Sequence, residues 1–238
     1  SGVKNHNGFD SHLRSVMDFP LEEAIRQALE SDSQGWGGGL TRVYDVLTMD
    51  YMYADVNDIL IMLGNHDMDR IADVVKDQDP RRVKLAYTLL ATMRGIPQVF
   101  YGDEYAMKSA DRKLGHSTLR MPLPLGEEVT AEMQDMFDYQ SRLFQWRKGE
   151  EVIHTGKTMH FMSRDNTYGF FRYNDSEAVF VFVNASEDNR TIPTANYAEI
   201  LSKYNPVGVD VITGKTYDLS QKDIVVEPLS SIVVKLNK

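Results

Sequence analysis

Cysteine is absent from the 238 residues, so no disulfide, thiolate nucleophile or cysteine metal site can be built. That absence leaves the compartment open. Also missing is any apolar run near the roughly 20 residues that a membrane-spanning helix needs. Basic residues are in deficit, 26 Lys and Arg against 35 Asp and Glu, and they are scattered through a chain of formal net charge −9. Phosphate binding depends on clustered Lys and Arg, so a nucleic-acid partner is not expected and a neutral or cationic ligand fits better. There is no initiator Met. The chain opens on Ser1-Gly2, which resembles a processing scar, and no signal peptide is visible; bacterial cytoplasm, periplasm and exterior all remain open. No internal repeat or low-complexity tract is found.

What is present is ordinary globular composition, 42% apolar and 26% charged, in a chain long enough for a large core and for one or two domains. Residues 1–150 alternate strand-like and helix-like segments. Ser15 to Phe19 is a short apolar run ended by Pro20, after which Leu21, Ala24, Ile25, Ala28 and Leu29 recur at helical spacing. A Gly-rich break at Gly35 to Gly39 precedes Leu40, Val43, Tyr44 and Leu47 on one face. Ile59 to Leu63 is then an unbroken apolar strand of the kind buried in parallel sheets. Asp79-Pro80 supplies an N-cap and a first-turn Pro, and Ala86, Leu89, Leu90 and Met93 mark a buried face until Gly95. A strand from Ile96 to Tyr101 follows. After a loop through Pro122 and Pro124, Met133, Met136, Phe137, Gln140, Leu143, Phe144 and Arg147 outline a last helix ending near Gly149.

Such alternation predicts a parallel sheet with right-handed crossovers, open or part of a (β/α)8 barrel. From residue 151 short strands rich in Val, Phe and Tyr stand between polar turns, at Gly169 to Tyr173, Ala178 to Asn184, Val209 to Ile212, Ile224 to Val226 and Ser231 to Leu236. This half, 151–238, is expected to be an antiparallel β-domain.

Leu63-Gly64-Asn65-His66-Asp67 places three polar side chains where the chain leaves a buried parallel strand, at the sheet edge where barrel enzymes carry their sites. Asn and His exchange hydrogen bonds with sugar hydroxyls, and a carboxylate accepts from two adjacent hydroxyls or stabilises developing positive charge. Spacing alone equally allows a polar turn whose Asp caps the next segment.

These residues, followed by Arg70 and by Gly95-Ile96-Pro97-Gln98-Val99-Phe100-Tyr101-Gly102-Asp103-Glu104, resemble the last conserved region and last barrel strand of glycoside hydrolase family 13, the α-amylase family. Ser15 to Leu21 looks like the sixth-strand region of its neopullulanase and cyclomaltodextrinase-like members, and the β-rich tail is similar to the family's domain C. The resemblance implies strands six to eight of a TIM barrel in 1–150 and a β-sandwich in 151–238. It implies that Asp67 is the third invariant carboxylate, which binds the 2- and 3-hydroxyls of the sugar being cleaved and distorts it. His66 would bind the same sugar, Asn65 would stand beside them and Arg70 would line the donor side of the cleft. Pro97, Tyr101, Gly102 and Glu104 are read as shaping the strand end.

Retaining glycosidases need a nucleophilic carboxylate and a general acid about 5 Å apart. In this family both come from earlier barrel strands, and neither pattern is recognisable here. The isolated chain is therefore expected to be inactive, and its parent to act on α-1,4 or α-1,6 bonds of an α-glucan oligosaccharide or polysaccharide. A transglycosylase on the same scaffold and a non-catalytic glycan-binding or assembly chain are the alternatives. No metal or cofactor site is read, and calcium in the parent is left open. A partial barrel exposes a strand edge, so self-association or a missing N-terminal portion is expected.

Other features read as structural: Trp36-Gly37-Gly38-Gly39 as a loop, His154 and His160 without zinc companions, Trp146 and Met136 as packing. Sequons stand at Asn174, Asn184 and Asn189.

Overall fold

The computed structural model describes residues 10–32 and 37–238; Gly35 and Trp36 of the Gly-rich break lie outside them. Its first half runs α1 (Phe19–Glu30), α2 (Thr41–Thr48), β1 (Leu60–Met62), α3 (Ile71–Val74), α4 (Pro80–Thr92), β2 (Ile96–Gln98) and α5 (Ala131–Lys148). The second runs α6 (Glu151–Thr155), β3 (Lys157–His160), β4 (Thr167–Tyr173), β5 (Glu177–Asn184), β6 (Arg190–Thr191), α7 (Ala198–Leu201), β7 (Val207–Asp210), β8 (Thr216–Asp218), β9 (Val225–Val226) and β10 (Ser230–Asn237).

The parallel part is a short arc. β1 and β2 pair in register, Leu60 against Ile96 and Met62 against Gln98. The segment expected as a strand at Ser15 to Phe19 contributes one parallel bridge, Met17 to Leu60, with Leu60 N donating to Val16 O at 3.0 Å and Asp18 N to Leu60 O at 2.8 Å. It goes no further because Asp18 is already the N-cap of α1, its Oδ1 accepting from Leu21 N at 3.1 Å, and Pro20 sits in the first turn. β2 likewise stops at Gln98, short of the expected Tyr101.

The helix signals act as read. Asp79 accepts from Arg81 N at 2.8 Å ahead of Pro80, and α4 buries nearly every side chain from Arg82 to Thr92. Its last carbonyls are taken by Arg147 of α5, which donates to Ala91 O, Met93 O and Gly95 O at 2.8, 3.0 and 2.6 Å. Gly95 is required where the chain turns into β2, since its φ is +99° and a Cβ there would stand 2.6 Å from Ile59 O.

The antiparallel sheet has the order β3-β4-β5-β10-β7-β8, with β6 and β9 forming a separate two-stranded ladder over one face. Alternation divides its side chains. Tyr168, Phe170, Val179, Val181, Val183 and Val233 join the same core as Leu21, Ile25, Leu89 and Leu143. Phe171, Phe180, Phe182, Ile232, Val234 and Leu236 face a second cluster closed by Ile192, Tyr197, Ile200 and Val226. Each such side chain contributes about 1.5–3 kcal/mol of burial, so the two halves hold together through one continuous apolar interior. Asn166 adds a polar tie across the junction, accepting from Leu40 N at 3.2 Å and donating to Ala185 O at 2.9 Å. Asn184 is buried and donates to Asp188 O and Glu227 O at 2.8 Å, which closes that sequon.

Two tests of this packing follow from single positions. A Cβ on Gly208 of β7 would stand 2.1 Å from Lys235 O of β10. Gly208→Ala should therefore cost about 1–3 kcal/mol, read as a lower urea midpoint with unchanged slope; an unmoved midpoint would mean that β7 and β10 do not approach this closely. The second position is Glu22 of α1, buried at 3% exposure, whose Oε1 finds no hydrogen-bond donor among the described residues and lies 3.7 Å from Arg26 Nε. Burial pushes its carboxyl up to about 7, with Arg26 pulling weakly the other way. The folded state thus holds this proton more tightly than the unfolded chain, and stability falls as pH rises from the ordinary carboxylate range through 7. Glu22→Gln should remove that fall and raise stability at pH 8 by about 1–3 kcal/mol; parallel pH profiles for the two proteins would contradict it.

Candidate active site

β1 ends in the buried Leu63-Gly64, and the next residues form a turn that aims two side chains outward. Asn65 Oδ1 accepts from Asp67 N at 2.8 Å, and Met68 N donates to Asn65 O at 3.3 Å. Asn65 is thus occupied in shaping the loop, its Nδ2 lying 3.9 Å from Met62 Sδ. His66 and Asp67 project into solvent, with side chains 59% and 61% exposed and His66 Nε2 3.2 Å from Asp67 Oδ2. The other oxygen, Asp67 Oδ1, accepts from Arg120 Nη2 at 3.1 Å. A carboxylate is therefore held between an imidazole and a guanidinium at the C-terminal end of a parallel strand.

Arg120 went unread in the sequence. It stands in an irregular stretch after the 3-10 turns Arg112–Leu119, where no periodicity marks it, and its Nη1 donates to His116 O at 2.9 Å. The stretch is fixed from below, since Asp73 Oδ2 of α3 accepts from Ser109 N and Oγ at 2.9 and 2.8 Å.

Arg70 requires a correction. The expectation that it lines the cleft is not met, because the residue is 1% exposed and its two terminal nitrogens donate to protein groups. Nη1 donates to Tyr101 O at 2.9 Å and Asp103 Oδ1 at 2.6 Å, and Nη2 to Leu119 O at 2.7 Å. Its flat face lies 4.6 Å from the Phe100 ring centroid. Arg70 thereby joins its own loop, the end of the last strand and the residue before Arg120. Desolvation pushes the Asp103 carboxyl up to about 6 against the pull of Arg70, which leaves the pair ionised at neutral pH. Gln140 of α5 donates to Asp103 O at 2.9 Å. Gly102 takes φ +87° and a Cβ there would stand 2.5 Å from Met107 Sδ, so this glycine shapes the strand end.

Of the remaining histidines and core candidates singled out in the sequence, His154 is exposed, whereas His160, Met136 and Trp146 are packed. His160 is half-buried, with Nδ1 2.9 Å from the Tyr168 hydroxyl and its ring 4.8 Å from that of Tyr44; burial holds its pKa below the usual histidine value. Met136 is buried, and Trp146 packs against the first core. Among the described residues no group of three His, Cys, Asp or Glu could hold a metal ion, and no helix is long and apolar enough to cross a membrane.

Comparison with known proteins finds two family patterns. That described as "Alpha amylase, catalytic domain" matches residues 5–192, and "Cyclo-malto-dextrinase C-terminal domain" matches 158–235. A cyclomaltodextrin glucanotransferase of Geobacillus stearothermophilus is 26% identical over 194 residues, covering 79% of this chain and 24% of that protein. An alpha-amylase of Niallia circulans is 26% identical over 196 residues, 79% of this chain and 35% of its own length. The crystal structure of the alpha-amylase from Geobacillus thermoleovorans complexed with acarbose superimposes with a TM-score of 0.73 at 20% identity, over 95% of this chain and 48% of that one. The chain thus spans a quarter to a third of these curated relatives and about half of the solved structure.

Proposed function

The chain belongs to the α-amylase family, and on that premise we propose that it is the C-terminal part of an enzyme that cleaves α-1,4 or α-1,6 bonds of α-glucans with retention of configuration. In this reading residues 1–150 complete the barrel as its sixth to eighth strands, and 151–238 form the attached β-domain. The observation that carries it is the Asp67 carboxylate, presented between His66 and Arg120 at the exit of β1. Asp67 grips the 2- and 3-hydroxyls of the sugar whose bond breaks, and its charge favours the oxocarbenium-like transition state. His66 binds the same sugar. The nucleophile and general acid come from barrel strands that precede this chain.

The open arc supports the same reading. Met17, Ile96, Val99 and Tyr101 are exposed apolar residues on or beside the short strands, and β2 has one strand neighbour among the described residues. Further barrel strands would cover them.

Transfer to a sugar hydroxyl in place of water is the second reading, favoured by the glucanotransferase among the relatives. The two differ only in what attacks the glycosyl-enzyme. The longer gene product, given maltooligosaccharides, should release products that are α-anomers at first formation by NMR. Shorter saccharides alone mean hydrolysis, and longer ones as well mean transfer. Initial β-anomers, or no turnover of any α-glucan, would sink the proposal.

Arg120 gives a separate test. Its pair with Asp67 is solvent-exposed and adds at most about 1 kcal/mol to folding. Arg120→Ala in the longer protein should leave its melting temperature nearly unchanged and weaken use of maltooligosaccharides roughly tenfold, since hydrogen bonds to charged groups are worth about 1.5–3 kcal/mol. Unaltered kinetics would show that Arg120 merely rests against Asp67.

A further inference from the structure

We propose that a second sugar site adjoins the Asp67 loop: the cavity of about 440 Å³ lined by Phe19, Glu22, Glu23, Arg26, Met68 and Asp69 takes one hexose residue of a neutral glucan. The proposal rests on the α-glucan reading for the identity of the sugar, while the cavity stands on its own geometry. Its size falls within the roughly 300–1,000 Å³ of small-ligand pockets. The first two turns of α1 form one wall, and Met68-Asp69, the residues directly after Asp67, form the other.

Two features of the wall are left unsatisfied among the described residues. Phe19 is half exposed, whereas Leu21, Ala24, Ile25, Ala28 and Leu29 of the same helix are buried; its ring offers an apolar surface of the kind on which the C–H faces of sugars stack. Glu22 is almost wholly buried and its Oε1 has no hydrogen-bond donor among the described residues, with Arg26 Nε 3.7 Å away. An unsatisfied buried acceptor is a cost that a ligand hydroxyl would relieve.

The surrounding groups select the ligand class. Glu23 and Asp69 disfavour an anion. Arg26 disfavours a cation, and no three-ligand metal cluster exists among the described residues. A polyol, whose hydroxyls both donate and accept, meets the mixture of carboxyl and guanidinium groups.

The test is titration of the 238-residue chain with maltotriose, followed by amide NMR and calorimetry, in three proteins: the natural chain, Phe19→Ala and Glu22→Leu. Glu22→Leu replaces the unsatisfied carboxyl by an apolar group of similar size, and its thermal midpoint reports that it folds. Shifts should centre on Phe19, Glu22 and Met68, and Phe19→Ala and Glu22→Leu should each weaken binding roughly fivefold or more, as expected for a lost hydrogen bond or stacking contact. No binding by the natural chain, or binding whose shifts centre elsewhere and that both variants leave intact, overturns the proposal. Turnover of α-glucans by the longer protein is a separate reading, so a failure of the proposed function would be seen there and not in this titration.

Discussion

Asp67→Asn in the longer gene product is expected to lower kcat on maltooligosaccharides by roughly a thousandfold or more while leaving the fold intact. The substitution keeps the shape of the side chain and removes its charge. Interactions with the sugar 2-hydroxyl that tighten in the transition state supply several kcal/mol, and each 1.36 kcal/mol is about tenfold in rate. Stability should barely respond. Asp67 is largely solvent-exposed, and its contacts to His66 and Arg120 are surface pairs of small net value. A loss of activity matched by a loss of melting temperature would instead mean that Asp67 acts through folding, and retention of activity would remove it from the chemistry.

Arg94→Met is expected to have the largest effect on stability. Arg94 lies between α4 and β2 at 1% exposure and donates to Asp18 Oδ2 at 2.6 Å, to Asp50 Oδ2 at 2.9 Å and through Nη2 to Asp50 Oδ1. Asp18 is equally buried and also caps α1. Methionine leaves two carboxylates without their cation in the interior, a change that typically costs about 3–5 kcal/mol, or roughly 6–20 °C of melting temperature in a chain of this size. A shift under about 2 °C at pH 7 would contradict the account.

These two residues illustrate what could be read without coordinates. Asp67 stood out as a candidate through the family resemblance, since three polar residues after an unbroken apolar strand equally allow a capping turn. Arg94 did not, since nothing local connects it to Asp18 and Asp50, and charged residues are seldom fully buried. Arg70 misled because the family resemblance implies a place on the cleft, whereas here it braces the last strand against the stretch carrying Arg120. Arg120 itself was invisible because only the fold of residues 106–120 brings it to Asp67.

Among the elements, α4 and α5 were legible from their caps and apolar spacing, and β5 and β10 from long apolar runs buried on both faces. α6 spans Glu151–Thr155, too short for periodicity to speak, and β3 and β8 are half-buried outer strands with few apolar residues. The strand at residues 15–19 shrank because capping chemistry at Asp18 and Pro20 competes for the same residues.

The central claim is that this chain holds one part of a site completed by preceding barrel strands. The most direct measurement is α-glucan turnover by the isolated 238-residue chain, by the longer gene product, and by the chain mixed with the separately produced preceding segment. The account predicts an inert chain, an active longer product and activity restored on mixing that is lost again with Asp67→Asn. Turnover by the isolated chain alone, or a longer product indifferent to Asp67→Asn, would contradict it.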